Sequence, residues 1–557
     1  MFPTPLLLCA LLQSTPAVRA EYTVRISDPA SRRATVAIEV FDLPAGLSEI
    51  EFTLPERFAF TTFPEAQVID PWIVVVGERP SEVERVRPFA WKVACSPGKP
   101  LALVYNAPLD LRSHPLVNER GDYEMPLVAE DHALLSGGAL LAAPNLDGVQ
   151  FRVRFEAPEG WAVHTPWPEV EPGVHAPRSA LELQDCIVAL GAWTVRETNA
   201  GGARALALFA PSELRLVDEV APLVRDIFAS EIELFGGAPL ERYLFVFTPS
   251  RVRGFAGSAK QGSMVLSVGA NLPATSVKSH AAHLIAHEFF HTWGTSRYAC
   301  PDELRFFNEG FTDYFAYEVT RRIGALSQAE FLRTIGDKLA QYERAAAATK
   351  VSLVDASGAK FFEGGAAYDQ VYAGGLVLAV LCQKAIESNA TEGSSARTLD
   401  DFARAFNNDK NWSREGAAPT LEDFVTRLAD YSGDELASSL RTLVTTPQAD
   451  LLSALNTAGC KVERTSTPAP LELRANLDGL RIVDLDPASA GALIGLRAGD
   501  KLVEVNGVRV TKPAECGTAF AKPVDARLKI TFERDGAEQR IDAALPTVER
   551  IEFGWTR

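Results

Sequence analysis

The sequence predicts a multidomain α+β protein, and three observations carry that prediction. With 557 residues the chain exceeds what one hydrophobic core serves, since chains beyond roughly 250–300 residues divide into domains. Apolar residues make up 47% and charged residues 23%, with a mean hydropathy near zero. That balance belongs to a folded globular chain rather than a disordered or membrane-embedded one. Apolar periodicity then changes along the chain, from strand-like alternation to helical spacing and back to short strands.

Residues 1–20 read as a secretory signal peptide. The apolar run Leu6-Leu7-Leu8-Cys9-Ala10-Leu11-Leu12 precedes Pro16 and the small-residue end Ala17-Val18-Arg19-Ala20, so cleavage is expected after Ala20. Seven apolar residues cannot span a bilayer, and no later stretch reads as a transmembrane helix. The protein is therefore expected to be secreted or periplasmic. Export permits disulfides among Cys95, Cys186, Cys300, Cys382, Cys460 and Cys516. Six thiols allow fifteen connectivities, and the sequence does not choose between them. No two form a C-x-x-C pair, which argues against a cysteine metal site.

Residues 21–200 are mostly strand, as in Thr35-Val36-Ala37-Ile38-Glu39-Val40 and the alternating Gln150-Phe151-Arg152-Val153-Arg154-Phe155. Pro- and Gly-rich turns between such segments predict an N-terminal β-sandwich-like domain. Across 201–320, the strands Tyr243-Leu244-Phe245-Val246-Phe247 and Ser263-Met264-Val265-Leu266-Ser267-Val268 flank a Gly/Ser-rich loop and precede a long helix. Helical spacing dominates 321–465, for example at 330–343 and 421–429. Ser466-Thr467-Pro468-Ala469-Pro470 reads as a linker, after which 471–545 returns to short strands and turns. A net charge of -17 and the lack of any Lys/Arg-rich run argue against a nucleic-acid partner.

The densest chemistry lies at His280, His283, His287 and His291, four of the chain's eight histidines. Helix residues four apart share a face, so His287 and His291 present two imidazoles to one cation. Glu288, one step round, falls where its carboxylate can activate a water. Zinc takes imidazole and carboxylate ligands in tetrahedral geometry, and two histidines need a third partner. Glu309, with seventeen residues between it and His291, in Asn308-Glu309-Gly310-Phe311-Thr312-Asp313-Tyr314, is the candidate. Asp313 has two readings: it accepts the second ring N–H of a ligand histidine, or it is a solvated helix carboxylate. His283, one turn before His287, is a rival ligand or a packing residue. Only His287 and His291 flank an adjacent glutamate. The bland alternative, a polar helix with chance histidines, does not account for the downstream Glu-Gly run.

With these residues in place, the chain resembles the gluzincin metallopeptidases, and among them the M61 glycyl-aminopeptidase-like family with a C-terminal PDZ domain. His287-Glu288-Phe289-Phe290-His291-Thr292-Trp293 and Glu309-Gly310-Phe311-Thr312-Asp313-Tyr314 carry the match, and Trp91-Lys92-Val93 with Leu103-Val104-Tyr105 extend it. The resemblance implies a thermolysin-like catalytic domain over 201–320 and a helical domain over 321–465 that completes the cleft. It also implies one zinc ion and hydrolysis of peptides or proteins. Its ligands fall on His287, His291 and Glu309, and its general base on Glu288. A donor to the oxyanion is needed as well. Tyr372 matches the tyrosine of the Tyr-x-Lys-Gly motif of related aminopeptidases, with Gly374 in place of the lysine. Tyr368, one turn earlier, is the reserve, and either tyrosine also reads as a core aromatic.

Relatives bind the substrate's free amine through the glutamate of a Gly-x-Met-Glu-Asn or Gly-Gly-Leu-Glu-His segment. Here the corresponding segment reads as Gly262-Ser263-Met264-Val265-Leu266, with valine where the glutamate stands. Exopeptidase and endopeptidase action therefore both stay open. Gly262, Ser263 and Met264 are expected to pair with an extended substrate as a sheet edge.

Residues 466–557 resemble a PDZ domain and tail. Asp486-Pro487-Ala488-Ser489-Ala490-Gly491-Ala492 and Gly495-Leu496-Arg497-Ala498-Gly499-Asp500 carry that likeness. It implies capture of a C-terminal peptide by β-augmentation, with Gly479 and Leu480 in the carboxylate loop; a purely structural cap is the other reading. Two further readings of the whole chain remain: a PDZ-bearing scaffold whose peptidase-like domain is inactive, and a zinc hydrolase acting on an epoxide or ester.

Overall fold

Alternation of polar and apolar residues builds the N-terminal sheets. The computed structural model describes residues 18–555, except 59–60, 64–68, 77–78, 115–116, 118–120, 250–253, 269–273, 390–396, 415, 469–470, 472 and 486–488. The apolar leader and the Asp486-Pro487-Ala488 stretch lie outside the described residues. Strand β1 (Arg19–Arg25) buries every second side chain. It pairs antiparallel with β2 (Arg33–Phe41) and parallel with β3 (Gln150–Glu156) inside an eight-stranded sheet. The expected cleavage point after Ala20 thus falls within β1. One apolar core joins this sheet, through Tyr22, Val36 and Leu103, to shorter four-stranded sheets carrying Phe52, Trp91 and Val188. Trp72 stacks between Trp91 and Tyr105, at centroid distances of 4.5 and 4.6 Å. The six cysteines are free among the described residues.

A five-stranded sheet follows, in the order β4 (Thr194–Ala200), β5 (Ala203–Phe209), β6 (Arg242–Phe247), β8 (Ser263–Val268) and β7 (Phe255–Lys260). Its interior strands β5, β6 and β8 run parallel, and β7 closes one edge antiparallel to β8. Helices α1 (Val217–Phe235) and α2 (Ala274–Phe290) pack on it through aromatic side chains. Phe228 meets Phe289 at 5.3 Å, and Phe235 stacks on Trp293 at 4.4 Å. This cluster holds the C-terminal half of α2 in a fixed rotation.

A π-helical turn, Phe306–Phe311, runs directly into α3 (Thr312–Arg322). Helix α4 (Gln328–Thr349) starts at a reciprocal cap in which Ser327 and Glu330 satisfy each other's backbone N–H groups. Helix α5 (Ala366–Ser388) then crosses the π-helical turn at near backbone contact. A Cβ on Gly310 would overlap the Gly375 Cα, and a Cβ on Gly375 would overlap the Phe306 carbonyl oxygen. By length and hydropathy α5 qualifies as a membrane-crossing helix, contrary to the expectation that no later stretch would. Its apolar character has a packing cause, since 67% of the relevant window is buried inside the protein.

The chain divides into two compact units, Met1–Phe331 with Ala345–Ala449, and Leu332–Arg344 with Asp450–Arg557. In the second, β9 (Cys460–Pro468) pairs along its whole length with β15 (Thr547–Trp555). Gly336 of α4 lies against the Ile551 carbonyl of β15, where no side chain fits. The expected linker at 466–470 is therefore strand as far as Pro468. Its partner sits some eighty residues later in the sequence, a pairing no local pattern announces. The remainder forms a sheet of β10 (Ala475–Asp478), β11 (Arg481–Leu485), β12 (Lys501–Val505), β13 (Arg527–Arg534) and β14 (Ala537–Ala544). With α6 (Pro513–Phe520) it encloses its own core of Ile482, Leu502, Phe520 and Ile530.

The glycine contact yields a prediction. Gly375→Ala forces α5 off the π-helical turn, and such overpacking costs about 1–3 kcal/mol. Thermal unfolding should show a lower midpoint for this variant; an unchanged midpoint would mean the two segments separate without penalty.

Candidate metal centre

The last turn of α2, the turn at His291 that follows it, and the π-helical turn bring the histidines and Glu309 together. His287 Nε2 lies 3.5 Å, and His291 Nε2 3.8 Å, from the same Glu309 Oε2. The three donor atoms fall within 4.8 Å of one another. The wide π-helical turn sets the carboxylate's direction, and such turns recur at functional sites. Phe307 anchors it against Phe406 and Phe424, each at 4.9 Å. Asn308 Nδ2 donates to Glu309 Oε1 at 2.8 Å, and the Tyr372 hydroxyl donates to Oε2 at 2.6 Å.

Asp313 is 3% exposed, which disposes of the solvated reading. Its Oδ1 meets His287 Nδ1 at 3.1 Å and His283 Nε2 at 3.0 Å. A proton on His287 Nδ1 leaves Nε2 with its lone pair toward Glu309 and His291. Asp313, on α3, thus contacts two histidines of α2, and the His283 ring stacks on Tyr317 at 4.0 Å. His283, His287 and Asp313 also form a compact donor group, but it would take the His287 nitrogen that faces Asp313.

Charges in the site follow from burial and from these bonds. Burial would raise Glu309, but the His287 hydrogen bond and the neighbouring His291 and Tyr372 outweigh it and hold the carboxyl at about 2. Burial pushes His291 down to about 4, so its imidazole is neutral. His287 is depressed by burial and raised more strongly by Asp313 and Glu309, reaching about 10. A proton and a metal cation compete for its Nε2. A neutral imidazole, a second imidazole with fixed tautomer and an ionised carboxylate make the nitrogen and oxygen donor set that suits zinc. The residues fit the ion.

Glu288 points at the edge strand. Its Oε2 accepts from the Ala259 N–H of β7 at 2.8 Å. Gly257 makes room for it, since a Cβ there would stand 3.0 Å from the Glu288 Cγ. Burial raises the Glu288 carboxyl to about 7, with His287 opposing. The expected substrate-pairing residues need correction. Gly262 sits at φ +66 in the turn between β7 and β8, while Ser263, Met264 and Val265 are fully buried. Strand β8 is bonded on both sides, by β6 and β7, so it offers no free edge. The strand beside the base is β7, in a segment whose Gly254, Gly257 and Ser258 read locally as loop. Another residue with no local signal is Tyr123, whose hydroxyl donates to the Gly257 carbonyl at 2.8 Å.

Tyr372 and Tyr368 both reach the site. Their rings lie 4.4 Å apart, and Tyr372 stacks over His287 at 5.8 Å. In the second unit, Gly479 (φ +58) and Leu480 form the turn between β10 and β11. The Leu480 carbonyl accepts from the Leu502 N–H at 2.9 Å.

Residues 280–374 match the family model of the M61 glycyl aminopeptidase, and residues 481–534 match a PDZ domain. The chain is thus similar to M61 glycyl aminopeptidases over 280–374 and to PDZ domains over 481–534. The stretch matched by the M61 model includes His287, Glu288, His291, Glu309, Asp313 and Tyr372. Among solved structures, the aminopeptidase N family protein of Idiomarina loihiensis is similar at a TM-score of 0.71 and 16% identity. That match covers 96% of this chain and 98% of the other, and the likeness is one of fold. A mutant M1 zinc metallopeptidase from Deinococcus radiodurans bound to a Tyr-Ser-Ala substrate matches at 0.48 and 14% identity, over 78% of this chain and 95% of the other. No curated protein matches the sequence.

Asp313 holds the tautomer of His287, so Asp313→Ala should weaken metal binding by about 10–100-fold. Competition titration against a chelating indicator measures this; an unchanged affinity would show that the Asp313 bond does not orient the ligand.

Proposed function

We propose that the protein is a zinc-dependent peptidase that hydrolyses peptide bonds in peptides or proteins. The observation that carries this reading is the convergence of His287 Nε2, His291 Nε2 and Glu309 Oε2 beside Glu288, within the segment that matches the M61 family. Zinc held by these three residues supplies Lewis-acid polarisation of the scissile carbonyl and a more acidic water. Glu288, oriented by the Ala259 N–H, takes the proton from the attacking water and delivers it to the leaving amine. Tyr372, whose hydroxyl already reaches the ligand carboxylate, donates to the developing oxyanion, with the Tyr368 ring packed against it. Asp313 and His283 keep His287 in register.

Around this centre we assign a thermolysin-like catalytic domain to 201–320, a helical domain to 321–465 that completes the cleft, and a β-sandwich-like domain to 21–200. The PDZ module takes an extended C-terminal peptide, with Gly479 and Leu480 in the loop that receives the carboxylate. Removal of residues 1–20 on export places the mature protein outside the cytoplasm. The complete ligand set and base speak against an inactive scaffold.

Glu288→Gln keeps the shape of the side chain and removes its basicity. Peptide hydrolysis should fall by about 10²–10⁴-fold while zinc content, read by atomic absorption, stays at that of the unaltered protein. Undiminished hydrolysis in this variant would remove Glu288 from the chemistry.

A further inference from the structure

A base held by a main-chain N–H is only as well placed as the strand that carries that N–H. Glu288 Oε2 accepts from the Ala259 N–H at 2.8 Å, so β7 sets the direction of the carboxylate. Strand β7 is the last strand of its sheet and pairs with β8 on one side. An edge strand lacks the second row of ladder bonds that fixes an interior strand. A displacement of about 1 Å in a reacting geometry can nevertheless cost about 10²-fold in rate. The hold on β7 therefore has to come from outside the sheet.

A single 3-10 turn of the N-terminal region, Asp122–Glu124, provides it from two consecutive residues. The Tyr123 hydroxyl donates to the Gly257 carbonyl at 2.8 Å, across 134 positions of sequence. Glu124 Oε1 meets Lys260 Nζ at 3.0 Å. These contacts bracket Ala259: Gly257 stands two residues before it and Lys260 directly after it. Gly257 is also the point at which a Cβ would stand 3.0 Å from the Glu288 Cγ. The turn itself is anchored by the Arg112 guanidinium, which donates to the Tyr123 and Met125 carbonyls at 3.3 and 3.2 Å. From the same group run bonds to Thr248 Oγ1 at 3.0 Å and to the Pro249 carbonyl, just past the end of β6. Burial, and then the neighbouring Glu124 and Glu288 carboxylates, push the Tyr123 phenol well above its ordinary value. It stays protonated and keeps donating.

We infer that Tyr123 is a positioning residue for the base: its hydroxyl fixes β7 at Gly257, and β7 in turn fixes Glu288 through Ala259. This rests on the peptidase reading and adds to it a residue that acts on the reaction through the strand. The Tyr123 ring has a separate task, packing in a core with Leu134 and Val265. Tyr123→Phe keeps the ring and removes only the hydroxyl, so it separates the two roles.

The test compares the full-length zinc-loaded protein with Tyr123→Phe and with a control, Tyr22→Phe. The control loses a buried hydroxyl bond of the same kind, to the Ala142 carbonyl at 2.9 Å, in a sheet that does not carry β7. Rates are measured on the peptide that the unaltered protein cleaves fastest in a mixed library. Zinc content is read by atomic absorption, and amide hydrogen exchange of 255–260 by mass spectrometry. In Tyr123→Phe, kcat should fall by about tenfold to a hundredfold with KM unchanged, the pattern of an interaction expressed only in the transition state. Zinc content should hold, and exchange at 255–260 should quicken. Tyr22→Phe should change none of these. A kcat unchanged in Tyr123→Phe, an equal loss in Tyr22→Phe, or a loss without faster exchange at 255–260 would each overturn the inference. Hydrolysis of no peptide by the unaltered protein would instead sink the peptidase reading, while the exchange data would still show whether Tyr123 holds the strand.

Discussion

The site depends on one constraint: the backbone of the π-helical turn must approach the backbone of α5 closely enough to aim Glu309 at two histidines on another helix. Gly310 and Gly375 supply that approach, because a Cβ on either would collide with the facing main chain. The same crossing brings Tyr372 to Glu309 Oε2. Metal ligand and candidate oxyanion donor are thus positioned by a single glycine-to-glycine contact, and the phenylalanine cluster about Phe307 holds it from the other side.

Electrostatics in this pocket follow from enclosure. His287 and His291 are buried and Glu288 and Glu309 half-buried, so each is set more by its nearest partner than by water. Asp313 bridges two histidines of one helix with one oxygen, and β7 holds Glu288 by a main-chain donor. A base tethered to an edge strand and ligands tethered to helices leave little freedom for the reacting geometry, which is the condition for positioning to contribute to rate.

Much of this was legible in the sequence, and the parts that were not share a cause. The i, i+4 spacing of His287 and His291 and the Glu309 to Asp313 spacing are local, and helix geometry turns them directly into shared faces. The alternating strands of the N-terminal region were equally readable. Non-local pairing was not. Whether Ser263-Met264-Val265 or Phe255-Ala256-Gly257 is the sheet edge depends on which neighbours each strand finds, and both segments have strand-compatible composition. The strand at Cys460–Pro468 reads locally as helical region up to 465 and as linker from Ser466, because its partner is the last described strand, Thr547–Trp555. Lys260 and Glu124 lie far apart in sequence, so their ion pair had no signature before the fold brought them together. The long apolar run of α5 is passed over in the sequence, and it serves the core, with 67% of its window buried.

The central claim is that His287, His291 and Glu309 hold one zinc ion. Zinc K-edge X-ray absorption on the purified protein tests it most directly. The account predicts a four-coordinate ion with only nitrogen and oxygen neighbours, two imidazoles among them, at about 2.0–2.1 Å. Sulfur scattering at about 2.3 Å, or an ion that persists unchanged in a His287→Ala, His291→Ala protein, would contradict it.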